Sequence, residues 1–167
     1  MKTASKQTST RRLLALTAAD VMTVPVMTIP QDTSIQEAAR LFSESHITGA
    51  PVVDEAGRCV GVLSSSDFVT WAKKGAKTAQ AQDKVTCFIA PWGEMIDIED
   101  SADDQIRYYM TTRPVSVAPG TPLGEIAQKM ADAHIHRILV VVEQDRPIGI
   151  VTSTDILNAV GRAARTR

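Results

Sequence analysis

Segments 64–67 and 152–155 share one pattern, in which a serine is flanked by two hydroxyl residues and an aspartate follows. A carboxylate at a helix N-terminus can accept two hydrogen bonds from the cis-diol of a ribose, and such charge-assisted bonds are stronger than neutral ones. The hydroxyl groups beside each carboxylate suit the same sugar. The pattern therefore predicts ribose binding by two sets of side chains, which are Asp67 with Ser64 and Ser66, and Asp155 with Thr152 and Thr154.

The same pattern also has a structural interpretation. A Ser or Thr followed three residues later by an Asp caps a helix N-terminus, and such a cap contributes about 1 kcal/mol. Either segment in isolation favours the cap. Its occurrence twice favours ribose binding at one or both places, and the two roles can coexist.

His136 and Arg137 are the candidates for a phosphate contact. Arginine presents a fork of donors, and histidine adds another donor. The alternative interpretation is an exposed start of a strand, and the first copy has Thr48-Gly49 at this place. His134-x-His136 could also be a metal pair, but no third ligand follows at a suitable spacing, so we expect no metal site.

Much of the sequence is repeated 88 residues later. Gly61 corresponds to Gly149 at this spacing, and His46-Ile47 corresponds to His134-Ile135. A unit of about 50 residues therefore occurs twice and covers most of the chain. Two copies are too few for a solenoid, so we expect a pseudo-symmetric pair packed face to face.

Each copy is predicted to fold as β-α-β-β-α after a lead-in helix, which is a mixed α/β (α+β) class. Thr33 and Thr121 are the predicted N-caps, with Gln36 and Pro122 at supporting positions. The lead-in helices are expected at 11–21 and 103–109, and a first strand at 26–29. Apolar residues at helical spacing predict a buried stripe in each copy, formed by Ile35, Ala38, Ala39 and Phe42, and by Leu123, Ile126, Ala127 and Met130.

The expected organisation has five parts, which are a tail with the start of the lead-in helix at 1–16, a domain at 17–73, a connection at 74–103, a domain at 104–163 and a tail at 164–167. The connection is unusually long, and its middle is apolar. We expect it to pack over the module, and a sharper hypothesis is a partner contact centred on Phe88 and Trp92. Residues 1–10 are expected to be disordered.

Composition limits the possible functions. The 167 residues are 44% hydrophobic with a net charge of −1 and few aromatics, which argues against nucleic-acid binding. Cys59 and Cys87 are typical of a reduced cytosolic chain. Arg11-Arg12 resembles a twin-arginine signal only faintly, and no stretch approaches the roughly 20 apolar residues of a membrane span. Since no nucleophile–base pair or phosphate loop is present, we expect a cytoplasmic protein that is not an enzyme and has no catalytic cofactor.

With these motifs the chain resembles the cystathionine β-synthase (CBS) domain family. Each copy opens near Met-Thr-x-Pro, at 22–25 and 110–114, and closes with Gly-h-h-[Ser/Thr]-x-[Ser/Thr]-Asp, where h is apolar, at 61–67 and 149–155. Two such domains form a Bateman module. Segment 133–142 is similar in particular to the last repeat of the γ subunit of AMP-activated protein kinase, in which the His-Arg pair contacts phosphates.

The resemblance implies two domains packed through their sheets, with clefts that bind AMP, ADP, ATP or S-adenosylmethionine. In the family, the Asp of one repeat typically meets the strand region of the other. Asp67 with His136 and Arg137 would then prefer a phosphorylated ligand. The cleft of Asp155 would have less positive charge and would hold a nucleoside, a more distal phosphate or nothing. Its other members would be Thr23, Ile47 and Thr48, and the walls around adenine would be Ile47, Pro51, Ile135 and Val26.

We therefore expect a regulatory, energy-sensing module that binds adenine nucleotides and signals to an unidentified protein, as a homodimer of modules. One alternative is a structural or oligomerisation module with degenerate clefts, although both carboxylates are intact. Another alternative is a binder of S-adenosylmethionine.

Overall fold

The structure is a computed structural model and describes residues 13–75, 84–89, 94–99 and 104–165, with side chains described for 13–73 and 104–165. The predicted tail at 1–10, the Arg11-Arg12 pair and Trp92 lie outside the described residues. The chain divides into two compact units, described separately below. The central unit is Met27–Pro114, and the outer unit joins Met1–Val26 to Val115–Arg167.

The described residues form a mixed α/β protein, as predicted. In chain order the elements are α1 (Ala18–Val21), β1 (Ile29–Pro30), α2 (Ile35–Glu44), β2 (Gly49–Val53), β3 (Cys59–Ser64), α3 (Ser65–Gly75), β4 (Lys84–Ile89), β5 (Glu94–Glu99), a 3-10 turn (Ile106–Tyr108), β6 (Thr111–Thr112), β7 (Ser116–Val117), α4 (Leu123–Asp132), β8 (Arg137–Val142), a 3-10 turn (Glu143–Asp145), β9 (Arg146–Thr152) and α5 (Ser153–Arg165).

Each unit has a main sheet that is built around an antiparallel hairpin. In the central unit the strand order is β1-β2-β3-β6, with β1 parallel to β2 and the other pairs antiparallel. In the outer unit the order is β7-β8-β9, with the same parallel and antiparallel sense. The outer sheet has a single bridge, between Thr23 and Ile150, in place of the fourth strand of the central sheet. The corresponding pair in the central sheet is Thr111 with Val62, since Thr111 matches Thr23 and Val62 matches Ile150 at the 88-residue spacing.

The predicted apolar stripes form the cores of the units. All four residues of the first stripe are buried, with Ile35 and Phe42 at its ends. In the second stripe Leu123, Ile126 and Met130 are buried, and Ala127 is half-buried. The apolar face of an amphipathic helix must be covered by other apolar groups, and in each unit the sheet provides them.

The predicted N-caps are each wrong by one residue. Helix α2 is capped by Ser34, whose Oγ accepts a hydrogen bond from the backbone N of Glu37 at 3.2 Å, and Thr33 lies outside the helix. Helix α4 has Pro122 at its N-cap instead of Thr121, with no side-chain cap bond. With Ser34 as N-cap the capping-box position is Glu37 instead of Gln36, and Gln36 Nε2 donates to Asp104 at 2.8 Å.

The lead-in segments are less regular than predicted. The helix expected at 11–21 is interrupted within the described residues, because Leu13 and Leu14 are helical and helical structure resumes only at α1. In the interruption Thr17 bridges Pro122 and donates to Asp20 Oδ2 from both N and Oγ1 at 2.8 Å. The second lead-in is a 3-10 turn, and the strand expected at 26–29 is the two-residue β1.

The lead-in segments are exchanged between the repeats. In the outer unit Ala18 N donates to Thr121 O at 2.9 Å, although the two residues belong to different copies of the repeat. The corresponding bond in the central unit joins Ile106 N to Thr33 O, also at 2.9 Å. Each compact unit therefore combines the β-α-β-β-α part of one copy with the lead-in of the other, whereas the sequence repeats are contiguous.

The long connection contains a hairpin that sequence patterns did not predict. Strands β4 and β5 pair in antiparallel register from Lys84↔Glu99 to Ile89↔Glu94. Within the central unit β4 lies beside α2, and β5 lies beside α3. The side chain of Phe88 is outside the described side chains, so the partner contact proposed around it stays a prediction.

Candidate ligand-binding sites

In the outer unit, β9 runs directly into α5, and Asp155 lies in the first turn of that helix. Its Oδ2 accepts hydrogen bonds from the N and Oγ1 of Thr152, at 2.8 and 2.6 Å. In return, Asp155 N donates to Thr152 Oγ1 at 3.2 Å. The predicted capping box is therefore complete, and it fixes the position of the carboxylate.

In the central unit Asp67 occupies the same place at the start of α3. Its Oδ2 accepts from the N and the Oγ of Ser64, both at 2.7 Å. The hydroxyl of Ser66 lies 2.8 Å from that of Ser64, so the three side chains form one hydrogen-bonded group. The structure therefore brings together the three residues that the sequence pattern grouped.

Both carboxylates use a single oxygen for the cap. Among the described residues, all hydrogen bonds to Asp67 and Asp155 go to Oδ2, and none goes to Oδ1. Both aspartates are half-exposed. A carboxylate oxygen that takes no part in the cap has lone pairs that can accept hydrogen bonds from a diol. The cap and the ribose contact are therefore compatible at one residue.

His136 and Arg137 lie at the same end of the outer sheet as Thr152. Arg137 is directly opposite Thr152 in the β8–β9 register, and directly opposed residues point to the same face of a sheet. The carbonyl of His136 accepts from the N and Oγ of Ser153, at 2.9 and 3.2 Å. His136 is exposed, whereas Arg137 is half-buried, and this burial lowers the pKa of its guanidinium. Arginine still remains protonated near neutral pH.

The central unit repeats this geometry with different side chains. Gly49 is opposite Ser64 in the β2–β3 register, and the N and Oγ of Ser65 donate to Thr48 O at 3.2 and 3.4 Å. The backbone arrangement is therefore the same as around Arg137. The two residues that correspond to the His-Arg pair carry no charge.

The remaining predicted residues divide between the units. Thr23 lies in the outer unit, where its N donates to Ile150 O at 2.9 Å, two residues before Thr152. Val26, also in the outer unit, is half-buried. Ile47 and Ile135 each pack against the core of their own unit, which takes part of their surface.

Some predicted groupings are left untested. Thr48 is exposed and Pro51 is fully buried, and both lie in the central unit. The predicted groupings of Asp67 with His136 and Arg137, and of Asp155 with Ile47 and Thr48, join residues of different units and stay predictions.

A further polar residue lies near the central site. Thr111 pairs with Val62, two residues before Ser64, as Thr23 pairs with Ile150 in the outer unit. The 88-residue match of Met110-Thr111 to Met22-Thr23 was the signal that could have identified it. Arg113 follows β6, is exposed and has a left-handed backbone with φ of 55°.

The described residues bear on two further kinds of feature, metal sites and membrane spans. Across 13–73 and 104–165, no three side chains of His, Cys, Asp or Glu converge as metal ligands. Among the helices of the described residues, none has the length and apolar character to cross a bilayer.

The fold consists of two α/β units, and in each an aspartate caps the helix that follows the hairpin. The family model for the CBS domain matches residues 18–74 and 104–162, which is more than half of the chain. The protein belongs to the CBS domain family, as its motifs predicted.

Known relatives include proteins of similar and of much greater length. Uncharacterized protein MJ1426 of Methanocaldococcus jannaschii is 27% identical over 84% of this chain and 89% of its own. L-aspartate semialdehyde sulfurtransferase of the same organism is 30% identical over 85% of this chain, but the match spans only 23% of that enzyme.

A solved structure of similar fold contains adenosine compounds. The CBS domain pair of protein MJ0100, in complex with 5′-methylthioadenosine and S-adenosyl-L-methionine, superposes with a TM-score of 0.69 at 25% identity, covering 89% of this chain and 98% of that one. The predicted homodimer and cytoplasmic location stay predictions.

Proposed function

We propose that this protein is a non-catalytic regulatory module that binds adenine nucleotides through Asp67 and Asp155 and transmits their level to a partner protein. The observation that carries the proposal is the repeated carboxylate that is held by its own helix cap at Oδ2 and has no hydrogen bond at Oδ1 from the described residues. The CBS domain pair of MJ0100, which binds two adenosine compounds, supports the ligand class.

The cap makes each carboxylate a preorganised acceptor. Because Oδ2 already accepts two hydrogen bonds, the side chain loses little rotational freedom when a ligand binds. The 2′- and 3′-hydroxyls of a ribose would donate to Oδ1, and the hydroxyls of Ser66 or Thr154 would complete the contact. The phosphate of the ligand would be held by the donors of His136 and Arg137.

Ligand binding would be transmitted through the exchanged lead-in segments. Thr23 is hydrogen-bonded to Ile150 in the strand that leads to Thr152, and the chain continues from Thr23 into β1 of the central unit. A ligand that binds one arrangement of this strand end more tightly than another shifts the equilibrium towards that arrangement. The lead-in segments, which are bonded to the strand, would shift with it. The readout would be a partner protein or a homodimer whose pose follows that equilibrium.

The test is the melting temperature of the full chain with AMP, ADP, ATP, S-adenosylmethionine or no addition. A ligand at 100 times its dissociation constant adds about 2.7 kcal/mol to the free energy of unfolding. We expect a dose-dependent rise that is reduced in Asp67→Asn and Asp155→Asn and absent when both are changed. Asp132→Asn, at the exposed end of α4, is the matched control and should respond as the wild type does.

Two other results would change the assignment. A rise with S-adenosylmethionine but with none of AMP, ADP and ATP would favour S-adenosylmethionine as the ligand. This compound is the second candidate because the MJ0100 domain pair binds it. No rise with any of them would contradict the nucleotide proposal and favour a structural module.

A further inference from the structure

Helix α5 of the outer unit carries an exposed apolar stripe. Four exposed residues follow the spacing i, i+3, i+4 and i+7, which places them on one face of the helix, and they are Leu157, Val160, Gly161 and Ala164. Leu157 is 69% exposed and Val160 is 46% exposed. This stripe, named the α5 face, lies outside the core of its own unit and is wide enough to contact another protein surface.

The equivalent face of the central unit lies beside the hairpin of β4 and β5. At the 88-residue spacing Leu157 and Val160 correspond to Val69 and Ala72 in α3. Both of these residues are half-buried, and β5 lies beside α3. Within the described residues, the chain therefore has two equivalent helix faces but a single β4–β5 hairpin.

The register of this hairpin divides its residues into two sets of different composition. Successive residues of a strand belong to opposite faces of a ribbon, and directly paired residues share a face. The apolar set consists of Val85, Cys87, Ile89, Ile96 and Ile98, with Glu94 as its one charged member. The mixed set consists of the pairs Phe88–Met95, Thr86–Asp97 and Lys84–Glu99. The hairpin therefore offers one set for its own unit and a second set that combines apolar and acidic residues.

The hairpin and the end of α5 carry opposite charges. Strand β5 contains three carboxylates and no cation, whereas the last turn of α5 has two exposed arginines, Arg162 and Arg165. In α3 the position of Arg162 is taken by Lys74, so the acidic strand already lies beside a helix with a basic end in the central unit. The α5 face therefore has the composition of the helix surface beside which the hairpin lies.

We propose that the α5 face is the docking surface for the β4–β5 hairpin of a second copy of this chain. The apolar set would remain with α3 of its own copy, and the mixed set would meet the α5 face, with Asp97 near Arg165. Because each copy carries both surfaces, two copies would make two identical contacts and form a closed dimer. This contact uses residues outside the ligand contacts and does not depend on nucleotide binding.

The first test is sedimentation equilibrium of the full chain without nucleotide. We expect the wild type to form a reversible dimer. Leu157→Ser should raise its dissociation constant by at least about 10-fold, because the leucine would lose its burial in the contact. Leu14→Ser is the matched control, since Leu14 is 63% exposed in the same unit, and it should leave the dissociation constant unchanged.

Charge reversals identify the hairpin as the occupant. Asp97→Lys and Arg165→Glu should each weaken the dimer by about 3- to 10-fold, because an attractive pair becomes repulsive. Asp97 is paired with Thr86, so its reversal creates no like-charge pair within the hairpin. An equimolar mixture of the two variants should dimerise as tightly as the wild type, because both contacts of the mixed dimer again join opposite charges. Arg146→Glu, at an exposed arginine of the same unit, is the control and should have no effect.

The recovery in the mixture also shows that both variants fold. A wild type that stays monomeric, or a dimer that resists Leu157→Ser, overturns the proposal. A dimer that is weakened by Leu157→Ser but not by Asp97→Lys means that α5 meets another surface of the second copy, which overturns the assignment of the hairpin. A mixture that stays as weak as its components overturns it too. Nucleotide binding is tested separately by the melting temperatures.

Discussion

Met22 fills the space beside the backbone of Gly149. A Cβ built on Gly149 would lie 2.5 Å from Met22 Sδ, and one built on Gly61 would lie 2.5 Å from Met110 Sδ. Each glycine is in the last strand of a hairpin, and each methionine is in the lead-in of the other copy. The exchange of lead-in segments therefore depends on close approach of a methionine to a glycine, twice in the chain.

Adding a methyl group at either glycine should destabilise its unit. We expect Gly149→Ala to lower the free energy of unfolding by about 1–3 kcal/mol, since overpacking forces side chains or backbone to shift. Gly61→Ala should cost more, because its Cβ would also lie 2.9 Å from the carbonyl of Thr111. Urea denaturation measures both.

Gly161→Ala is the control for these variants. It lies in α5 with nothing within 4 Å of its Cβ, so the change should raise stability by about 0.5–1 kcal/mol. Adding Met22→Ala to Gly149→Ala should recover part of the loss. Strictly additive effects of the two changes would contradict the proposed close approach.

Asp104 holds the second lead-in against the core of the central unit. It is 6% exposed, and its Oδ1 and Oδ2 accept from Trp71 Nε1 at 3.2 Å and Gln36 Nε2 at 2.8 Å. Asp104→Ala should lower the free energy of unfolding by about 2–5 kcal/mol, because it leaves both donors unsatisfied. Chemical denaturation measures the loss.

Asp32→Ala is the control for Asp104. Asp32 is exposed and lies 3.9 Å from Arg107 in a surface ion pair, so its loss should cost less than about 1 kcal/mol. If Asp104→Ala were as mild as Asp32→Ala, the buried network would not stabilise the unit.

The acid stability of the central unit should depend on Asp54. Hydrogen bonds from the backbone N and the side chain of Arg58 lower the pKa of its carboxyl group. A lowered folded-state pKa gives a contribution that is fully present above the unfolded-state pKa, at about 4 for Asp. This contribution is lost as the pH falls through the folded-state value.

Melting temperatures measured between about pH 2 and pH 5 should show this dependence. Asp54→Asn should flatten the acid side of the curve. Arg58→Ala should flatten it less, because it removes the side-chain donors and keeps the backbone N–H that bonds to Asp54 Oδ1. An acid limb as steep in both variants as in the wild type would refute the assignment.

His46 and His134 end their helices in the left-handed region, each with φ of 53°. After α4, Ile135 N donates to Met130 O at 3.0 Å and His134 N donates to Ala131 O at 3.3 Å, which is a Schellman motif. Glycine is the residue that adopts this conformation without a penalty. His134→Gly should therefore increase the free energy of unfolding by about 0.5–1 kcal/mol, which a higher melting temperature would show.

Ala133→Gly serves as the comparison for His134. Ala133 is the preceding residue and has a right-handed helical backbone, so glycine there should lower stability by about 0.5–1 kcal/mol. If both glycine variants lowered the melting temperature alike, strain at His134 would not be the cause.

Features with a short period were predictable from the sequence. The stripe from Ile35 to Phe42 recurs at Leu123 to Met130, and the same burial follows in both copies. The capping geometry of Asp67 and Asp155 followed from a local spacing that only a helix start satisfies. The N-cap of α2 was missed because Thr33 and Ser34 are adjacent hydroxyl residues, and local chemistry does not choose between them.

Features that depend on long-range pairing were not predictable. The lead-in helices appeared contiguous with their own repeats, and only the bonds of Ala18 to Thr121 and of Ile106 to Thr33 reveal the exchange. The hairpin at 84–99 was missed although Pro91 and Gly93 are turn residues and segment 96–99 alternates apolar and acidic side chains, because the segment has no counterpart in the repeat.

The most direct measurement is AMP binding by equilibrium dialysis to the wild type and to the Asp67→Asn/Asp155→Asn double variant. Asparagine keeps one cap acceptor but removes the charge that a ribose diol would contact, so both proteins should remain folded. Saturable binding to the wild type that is lost in the double variant is the predicted result. Equal binding to both would contradict the assignment of these carboxylates as the ligand contacts.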